Sequence, residues 1–311
     1  MSTKTHLYIT QPEFIPLLKQ ELGECTPLGE MGLLSATAKP DICFALDVWP
    51  NVTQAEISSI NDGAAKLRMS GSKLWHQYKL NFIRRGTLIS DNFKKLSNFT
   101  VNFPPREALP QIGGFSLLEQ NQMLFCPKRW KSMPDGIYEF NEDKEMPPSR
   151  AYLKLWEALS LWGEYPQAGE TCIDLGSCPG GWTYVLQSLG ATVISVDKAP
   201  LAPHIAKLPG IKYLQQSAFA LNPAEFERID WLVCDIICYP ERLLSLIESW
   251  LATGNAKRMI CTVKLQGEPD WAIINKLAAI PQARVLHLSQ NKHELTFFYP
   301  APKHLWVNFE N

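Results

Sequence analysis

No apolar run in the 311-residue sequence reaches the length of a membrane span, and Met1–Lys19 has no signal-peptide core. The eight cysteines include no Cys-x-x-Cys pair; the closest two, Cys234 and Cys238, lie in or just after an apolar run. The six histidines do not join the cysteines at ligand spacing, so no metal site is expected. Mostly reduced, buried thiols and no leader imply a soluble protein of the cytoplasm. Internal repeats and low-complexity tracts are absent. So are the Gly-x-Gly-x-x-Gly of dinucleotide turns and the Gly-x-x-x-x-Gly-Lys-Ser/Thr of phosphate loops, which disfavours a dehydrogenase or a phosphate-loop enzyme. Net charge is also scarce, formally −1, and by itself says nothing of partners.

The apolar share, 46%, is ample for buried cores, and the length favours two domains. Thr5–Ile9 has a strand pattern, and Glu13–Glu24 has helical spacing through Phe14, Leu17, Leu18 and Leu22. Cys43–Val48 and Ala55–Leu67 read as another strand and helix, making the start of the chain a small α+β unit. From Lys66 to Arg106 there are nine Lys or Arg and a single acid, Asp91. Trp75, His76, Tyr78, Phe82, Phe93, Phe99 and Phe103 are interleaved with them. A basic surface with rings suits a phosphate backbone with unpaired bases; the competing reading is a solvated helix face over an aromatic core. Asp135–Glu145 then turns acidic. Phe103–Pro148 is broken by Pro104-Pro105, Pro110, Pro127, Pro134 and Pro147-Pro148 and reads as a connecting region of short extended pieces. The expected division is therefore residues 1–147 and 148–311.

Beyond that boundary the pattern alternates. Ser149–Leu161 has helical spacing through Tyr152, Leu153, Trp156 and Leu159, with Lys154 and Glu157 three apart on a neighbouring face. Thr171–Asp174 is an apolar run closed by an acid. It breaks at Gly176-Ser177-Cys178-Pro179-Gly180-Gly181 and resumes as a helix, Trp182–Leu189. A second apolar run, Ala191–Val196, is closed by Asp197. Strand, glycine turn, helix and acid-ended strand form the skeleton of a nucleotide-type βαβ unit, with the acid placed to accept ribose hydroxyls. Further strands are expected at Ile211–Leu214, at Asp230–Cys234 ending in Asp235, and at Arg258–Val263 ending in Lys264. Helices are expected at Glu241–Thr253 and Pro269–Ile280, and a closing hairpin pairs Ala283–Ser289 with Glu294–Tyr299. This is a mostly parallel sheet with one antiparallel strand near its edge. Ligands sit at the carboxyl ends of such strands, where Asp174, Asp197, Asp235 and Lys264 all fall.

Asp174-Leu-Gly-Ser-Cys-Pro-Gly-Gly-Trp-Thr resembles motif I of the FtsJ/RrmJ-like ribose 2′-O-methyltransferases. Its Cys-Pro-Gly-Gly-Trp-Thr-Tyr form and the upstream Pro148-Ser149-Arg150-Ala151-x-x-Lys154-Leu resemble the RlmM branch, which modifies a cytidine ribose of large-subunit (23S) ribosomal RNA. The resemblance covers Pro148–Tyr299; ahead of it only Thr5–Glu24 is similar, and the branch has a longer N-terminal region. It implies a Rossmann-like class I methyltransferase domain with a seven-stranded sheet behind an N-terminal α+β domain. It implies S-adenosyl-L-methionine as cofactor and ribosomal RNA as partner.

The resemblance also implies a catalytic tetrad of Lys154, Asp235, Lys264 and Glu294. It implies a cofactor site of Asp174, Gly176, Cys178, Pro179, Gly180, Gly181, Trp182, Asp197, Ser217 and Asp235. Ser217 stands where the family commonly has an acid against the adenine, and Ala151 replaces a serine of the branch, leaving only a backbone contact there. Lys264 is the residue the family uses as general base. A free lysine has a pKa of about 10.4, so it either is depressed by burial and Lys154, against the pull of Asp235 and Glu294, or stays charged and orients the oxygen. With an RNA enzyme downstream, Arg84, Arg85, Lys94 and Lys95 become candidate RNA-docking residues. Two other readings stay open: a catalytically silent RNA-binding or ribosome-assembly factor, and a methyltransferase on a non-RNA substrate. Against the latter, the fourth strand ends Asp235-Ile-Ile-Cys and not in the Asn/Asp-Pro-Pro-Tyr of amino-group methylation.

Overall fold

A computed structural model describes residues 4–95 and 99–310. The first three residues of Met1–Lys19, and residues 96–98 of the basic stretch, lie outside the described residues. The chain divides into two compact units: the described part of Met1–Glu139 with that of Trp306–Asn311, and Phe140–Leu305. Among the described residues no helix is long and apolar enough to cross a membrane.

The first unit holds β1 (His6–Ile9), α1 (Ile15–Leu22), β2 (Thr26–Leu28), β3 (Gly32–Ser35), β4 (Asp47–Trp49), β5 (Thr53–Glu56), α2 (Ile60–Met69), β6 (Leu74–Gln77), α3 (Ile83–Ser90), β7 (Ile112–Glu119) and β8 (Gln122–Cys126). One antiparallel sheet runs β2-β3-β1-β4; a second runs β5-β8-β7-β6, with β6 and β7 parallel. Ala64 and Leu67 of α2 and Ile89 of α3 pack with Trp75, Phe115, Leu117, Met123 and Phe125 of the second sheet. Leu124 and Cys126 join Leu7, Ile9 and Trp49 of the first sheet. A fully buried ion pair, Arg129–Asp47, is tied to the backbone: Arg129 Nε donates to the Ile112 carbonyl at 2.9 Å, and Asp47 Oδ1 accepts from Lys131 N–H at 3.0 Å. The tail returns to this unit, with Val307 N–H on the Pro40 carbonyl at 3.0 Å and the Phe309 ring 4.5 Å from that of His6.

Three expectations for this unit need correction. Ala55 belongs to β5, and the helix starts only at Ile60, capped by the Ser59 hydroxyl on Asp62 N–H. Cys43–Leu46 precede the strand instead of forming it. The proline-rich connecting region contains β7 and β8, both inside the second sheet. Gly113 and Gly114 lie within β7, and two indoles rest on them. A Cβ on Gly113 would sit 2.7 Å from the Trp75 ring, and one on Gly114 2.2 Å from that of Trp49. A bare backbone is what such an approach needs.

The second unit holds α4 (Tyr152–Trp162), β9 (Thr171–Leu175), α5 (Gly181–Ser188), β10 (Thr192–Asp197), α6 (Pro203–Ala206), β11 (Ile211–Gln215), β12 (Ile229–Cys234), α7 (Pro240–Thr253), β13 (Ala256–Lys264), α8 (Trp271–Ala278), β14 (Arg284–Leu286) and β15 (Glu294–Tyr299). Its seven-stranded sheet runs β11-β10-β9-β12-β13-β15-β14, parallel except for β15, as the alternating pattern predicts. Strands such as Cys172-Ile173-Asp174-Leu175 and Leu232-Val233-Cys234 are buried end to end, which is why they read as continuous apolar runs. The hairpin differs in one respect. The strand expected to reach Ser289 stops at Leu286, because the Ser289 and Gln290 N–H groups bond Glu157 on α4.

Candidate active site

At the end of β9 the chain turns through Gly176 (φ 81°) and Gly180 (φ 115°), both in the left-handed region glycine favours. The turn is held from below: Gly176 and Ser177 N–H donate to the Val196 carbonyl at 2.9 and 3.2 Å. Cys178 N–H donates to Asp197 Oδ2 at 3.0 Å, and Ala199 N–H to Asp197 Oδ1 at 3.0 Å, so the acid ending β10 is oriented by both strand ends. A Cβ on Gly176 would meet Ile236 at 2.7 Å and one on Gly180 would meet Ile205 at 2.8 Å. The Cys178 side chain is exposed, whereas Trp182 is buried and its indole donates to the Ala151 carbonyl at 2.8 Å. Trp182 thus joins α5 to the residue just ahead of α4.

Asp174 is buried. Its Oδ2 accepts from Thr183 Oγ1 at 2.6 Å, and that hydroxyl lies 2.8 Å from Ser195 Oγ. Its Oδ1 and the Ser177 hydroxyl are buried with no hydrogen-bond partner. Burial, which outweighs the Thr183 hydrogen bond and is reinforced by the charges of Asp235 and Asp197, pushes the Asp174 carboxyl up to about 7. Beside the turn lies a cavity of about 220 Å³ whose lining includes Asp197, Ser217, Phe219, Ile236, Ile237 and Arg242. The Arg242 guanidinium lies 3.8 Å from the centre of the Phe219 ring. An opening lined by an oriented acid, a hydroxyl and apolar side chains, next to buried acceptors, fits an adenosine carrying a cationic amino acid.

Four charged side chains from four elements meet at the carboxyl ends of the strands. Lys154 Nζ of α4 lies 2.7 Å from Asp235 Oδ2 and 2.9 Å from Glu294 Oε1. Lys264 Nζ of β13 lies 2.5 Å from both Asp235 Oδ1 and Glu294 Oε2. The antiparallel register sets Lys264 opposite Glu294, while Asp235 N–H is anchored on the Leu175 carbonyl at 3.1 Å. The result is a closed square of alternating sign, with side-chain exposures of 8–17%. Burial alone would push the Lys264 ammonium down, but Asp235 and Glu294 outweigh it and raise the group above its ordinary value. Burial would raise the Asp235 carboxyl; Lys154 and Lys264 instead hold it below the usual range.

Sequence reasoning missed three contributors. Thr262 Oγ1 donates to Asp235 Oδ1 at 2.6 Å; two residues before Lys264 on β13, it shares that residue's face, and strand alternation could have found it. Phe219 and Arg242 carry no local signal. In the first unit, the aromatic residues divide. Trp75 is core and Phe93 packs against that core, Tyr78 is buried on the Leu28 carbonyl, and Phe82 at the start of α3 is 47% exposed. The stretch is therefore not a continuous ladder of open rings.

A doubly wound sheet with a glycine turn after β9, an acid ending β10 and a reversed strand beside the edge defines a Rossmann-like methyltransferase domain. The family model FtsJ-like methyltransferase matches residues 147–259. Ribosomal RNA large subunit methyltransferase M of Halorhodospira halophila is 33% identical over 229 residues, 67% of this chain and 67% of that protein. The protein of the same name from Pseudomonas syringae pv. syringae is 30% identical over 59% of this chain and 57% of its own length. That of Alkalilimnicola ehrlichii is 35% identical over 43% of this chain and 38% of its own. The chain belongs to the Ribosomal RNA large subunit methyltransferase M family of FtsJ-like methyltransferases. It spans two thirds of the first of these relatives and smaller shares of the others.

Proposed function

We propose that the chain transfers a methyl group from S-adenosylmethionine to a ribose 2′-hydroxyl of 23S ribosomal RNA. The observation that carries this is the Lys154–Asp235–Lys264–Glu294 square beside the glycine turn. The cofactor supplies a methyl group already activated on a cationic sulfur, so the protein's task is alignment and management of one proton. Asp197 and Ser217 would take the adenosine, and Asp174 Oδ1 and the backbone of the turn the amino-acid end. Lys264, kept charged between two carboxylates, orients the attacking oxygen and stabilises the alkoxide developing on it, while the hydroxyl proton passes to water. For Lys264 to accept the proton itself, its ammonium must first lose a proton, which Asp235 and Glu294 oppose. A base role is therefore the less supported of the two.

RNA binding is assigned to the first unit, at Arg84, Arg85, Lys94 and Lys95. Arg84, Lys94 and Lys95 are exposed, and Phe82 presents a ring two residues before Arg84. With this substrate the protein works in the cytoplasm. The test is incubation with labelled cofactor and unmodified ribosomal RNA, followed by mapping of ribose methylation. Transfer to one 2′-oxygen, abolished in Lys154→Ala with cofactor binding intact, supports the assignment. Normal RNA and cofactor binding without transfer would establish a silent assembly factor in its place.

A further inference from the structure

Glu157, three residues from Lys154 on a face neighbouring the apolar stripe of the helix, is fully buried (0% exposed). Its Oε1 accepts from Ser289 N–H at 2.9 Å, and its Oε2 from Ser289 Oγ at 2.9 Å and Gln290 N–H at 2.7 Å. A carboxylate withdrawn from water needs such donors. These donors lie in the segment 287–293 that joins β14 to β15 and delivers Glu294 to the square. The far end of the segment is tied to the residue that follows β13, with Leu265 N–H on the His293 carbonyl at 2.9 Å. Asn291 Nδ2 also donates to Thr296 Oγ1 at 3.0 Å.

The helix that carries Glu157 carries Lys154 three residues earlier, so one rigid element holds both a corner of the square and the anchor of the segment leading to another corner. We propose that Glu157 is a positioning residue for the square: its grip on Ser289 and Gln290 fixes Glu294 relative to Lys154 and Lys264. Displacing a group in such a constellation by about 1 Å costs on the order of a hundredfold in rate. The catalytic meaning of this role rests on the function proposed above; the geometric role does not.

The experiment uses the whole 311-residue chain with Glu157→Ala, Glu157→Gln and the milder Ser289→Ala. Three measurements are made on each: single-turnover methylation of ribosomal RNA, affinity for S-adenosylhomocysteine, and the titration of Lys264 followed by NMR in lysine-labelled protein. The titratable groups around Lys264 are Lys154, Asp235, Glu294 and the Cys238 thiol. Expected is a rate loss of roughly a hundredfold for Glu157→Ala and roughly tenfold for Glu157→Gln, with cofactor affinity within about twofold of wild type. Lys264 should titrate at lower pH in both variants, because Glu294 no longer stays beside it. If Glu157→Ala does not fold, Glu157→Gln and Ser289→Ala carry the test in the same direction. Folded variants with unchanged Lys264 titration, or a rate loss matched by an equal loss of cofactor affinity, overturn the proposal. If wild-type protein transfers nothing to RNA while Lys264 still moves in the variants, the proposed function falls and the positioning role stands.

Discussion

Replacing Asp174 with asparagine removes a charge from inside the central strand β9 while keeping the shape of the side chain. The carboxyl accepts one hydrogen bond from Thr183, and its other oxygen is buried without a partner. Burial and the nearby Asp235 and Asp197 push its pKa from 3.8 to about 7. A difference of about three pKa units corresponds to roughly 4 kcal/mol. The sign follows from proton uptake: a group whose pKa is raised on folding contributes stability that is complete below about pH 4 and is lost as the pH rises through about 7. An asparagine side chain does not titrate and brings no such dependence. The stability of Asp174→Asn relative to wild type should therefore grow by roughly 2–4 kcal/mol between pH 4.5 and 8.5. For a unit the size of Phe140–Leu305 this is roughly 4–16 °C in Tm. Calorimetry of both ligand-free proteins at matched ionic strength measures the difference, in which other titrating groups cancel. S-Adenosylhomocysteine should then stabilise wild type more than the variant, since Asp174 is assigned to the ligand's ammonium. A Tm difference that stays constant across this pH range would refute the reasoning.

Three further outcomes are expected. With Lys264 held charged, the single-turnover rate of methyl transfer should stay flat between pH 7 and 9; a tenfold rise per pH unit would assign Lys264 as the base. Arg84→Glu with Arg85→Glu should weaken RNA binding and flatten its salt dependence, by about 0.7 in slope per lost phosphate contact, without changing cofactor affinity. Unaltered RNA affinity would return that stretch to a solvated face. Gly114→Ala should destabilise the protein by about 1–3 kcal/mol in urea unfolding, since its Cβ would enter the Trp49 ring; a change below about 0.5 kcal/mol would show that the indole moves aside.

The two units differ in how much of them could be read from the sequence. Parallel strands buried on both faces announce themselves as apolar runs, and β9, β10, β12 and β13 each end at or beside a charged residue of the site. In the first unit, β2 is three residues long with a central proline, β5 is mostly exposed, and β7 has two glycines directly after its first residue. Their strand character comes from pairing partners distant in the chain, which local pattern does not carry. At the site, family resemblance picked out the corners of the square, because motif residues are spaced characteristically. It gave nothing on Arg242 against Phe219, or on Glu157, since a charged residue on a helix looks solvated until the segment that buries it is known.

The return of the tail to the first unit bears on how the protein is made. His6, Pro40 and Asn51 are synthesised early, but their partners Phe309 and Val307 emerge only after the whole sheet of the second unit. During translation these contacts must wait while some 166 residues, Phe140–Leu305, are added. Cutting the gene between the units would not yield two self-sufficient halves. An N-terminal fragment ending at Glu139 would lack the residues that cover its first strand, and supplying them as a peptide should restore part of its stability.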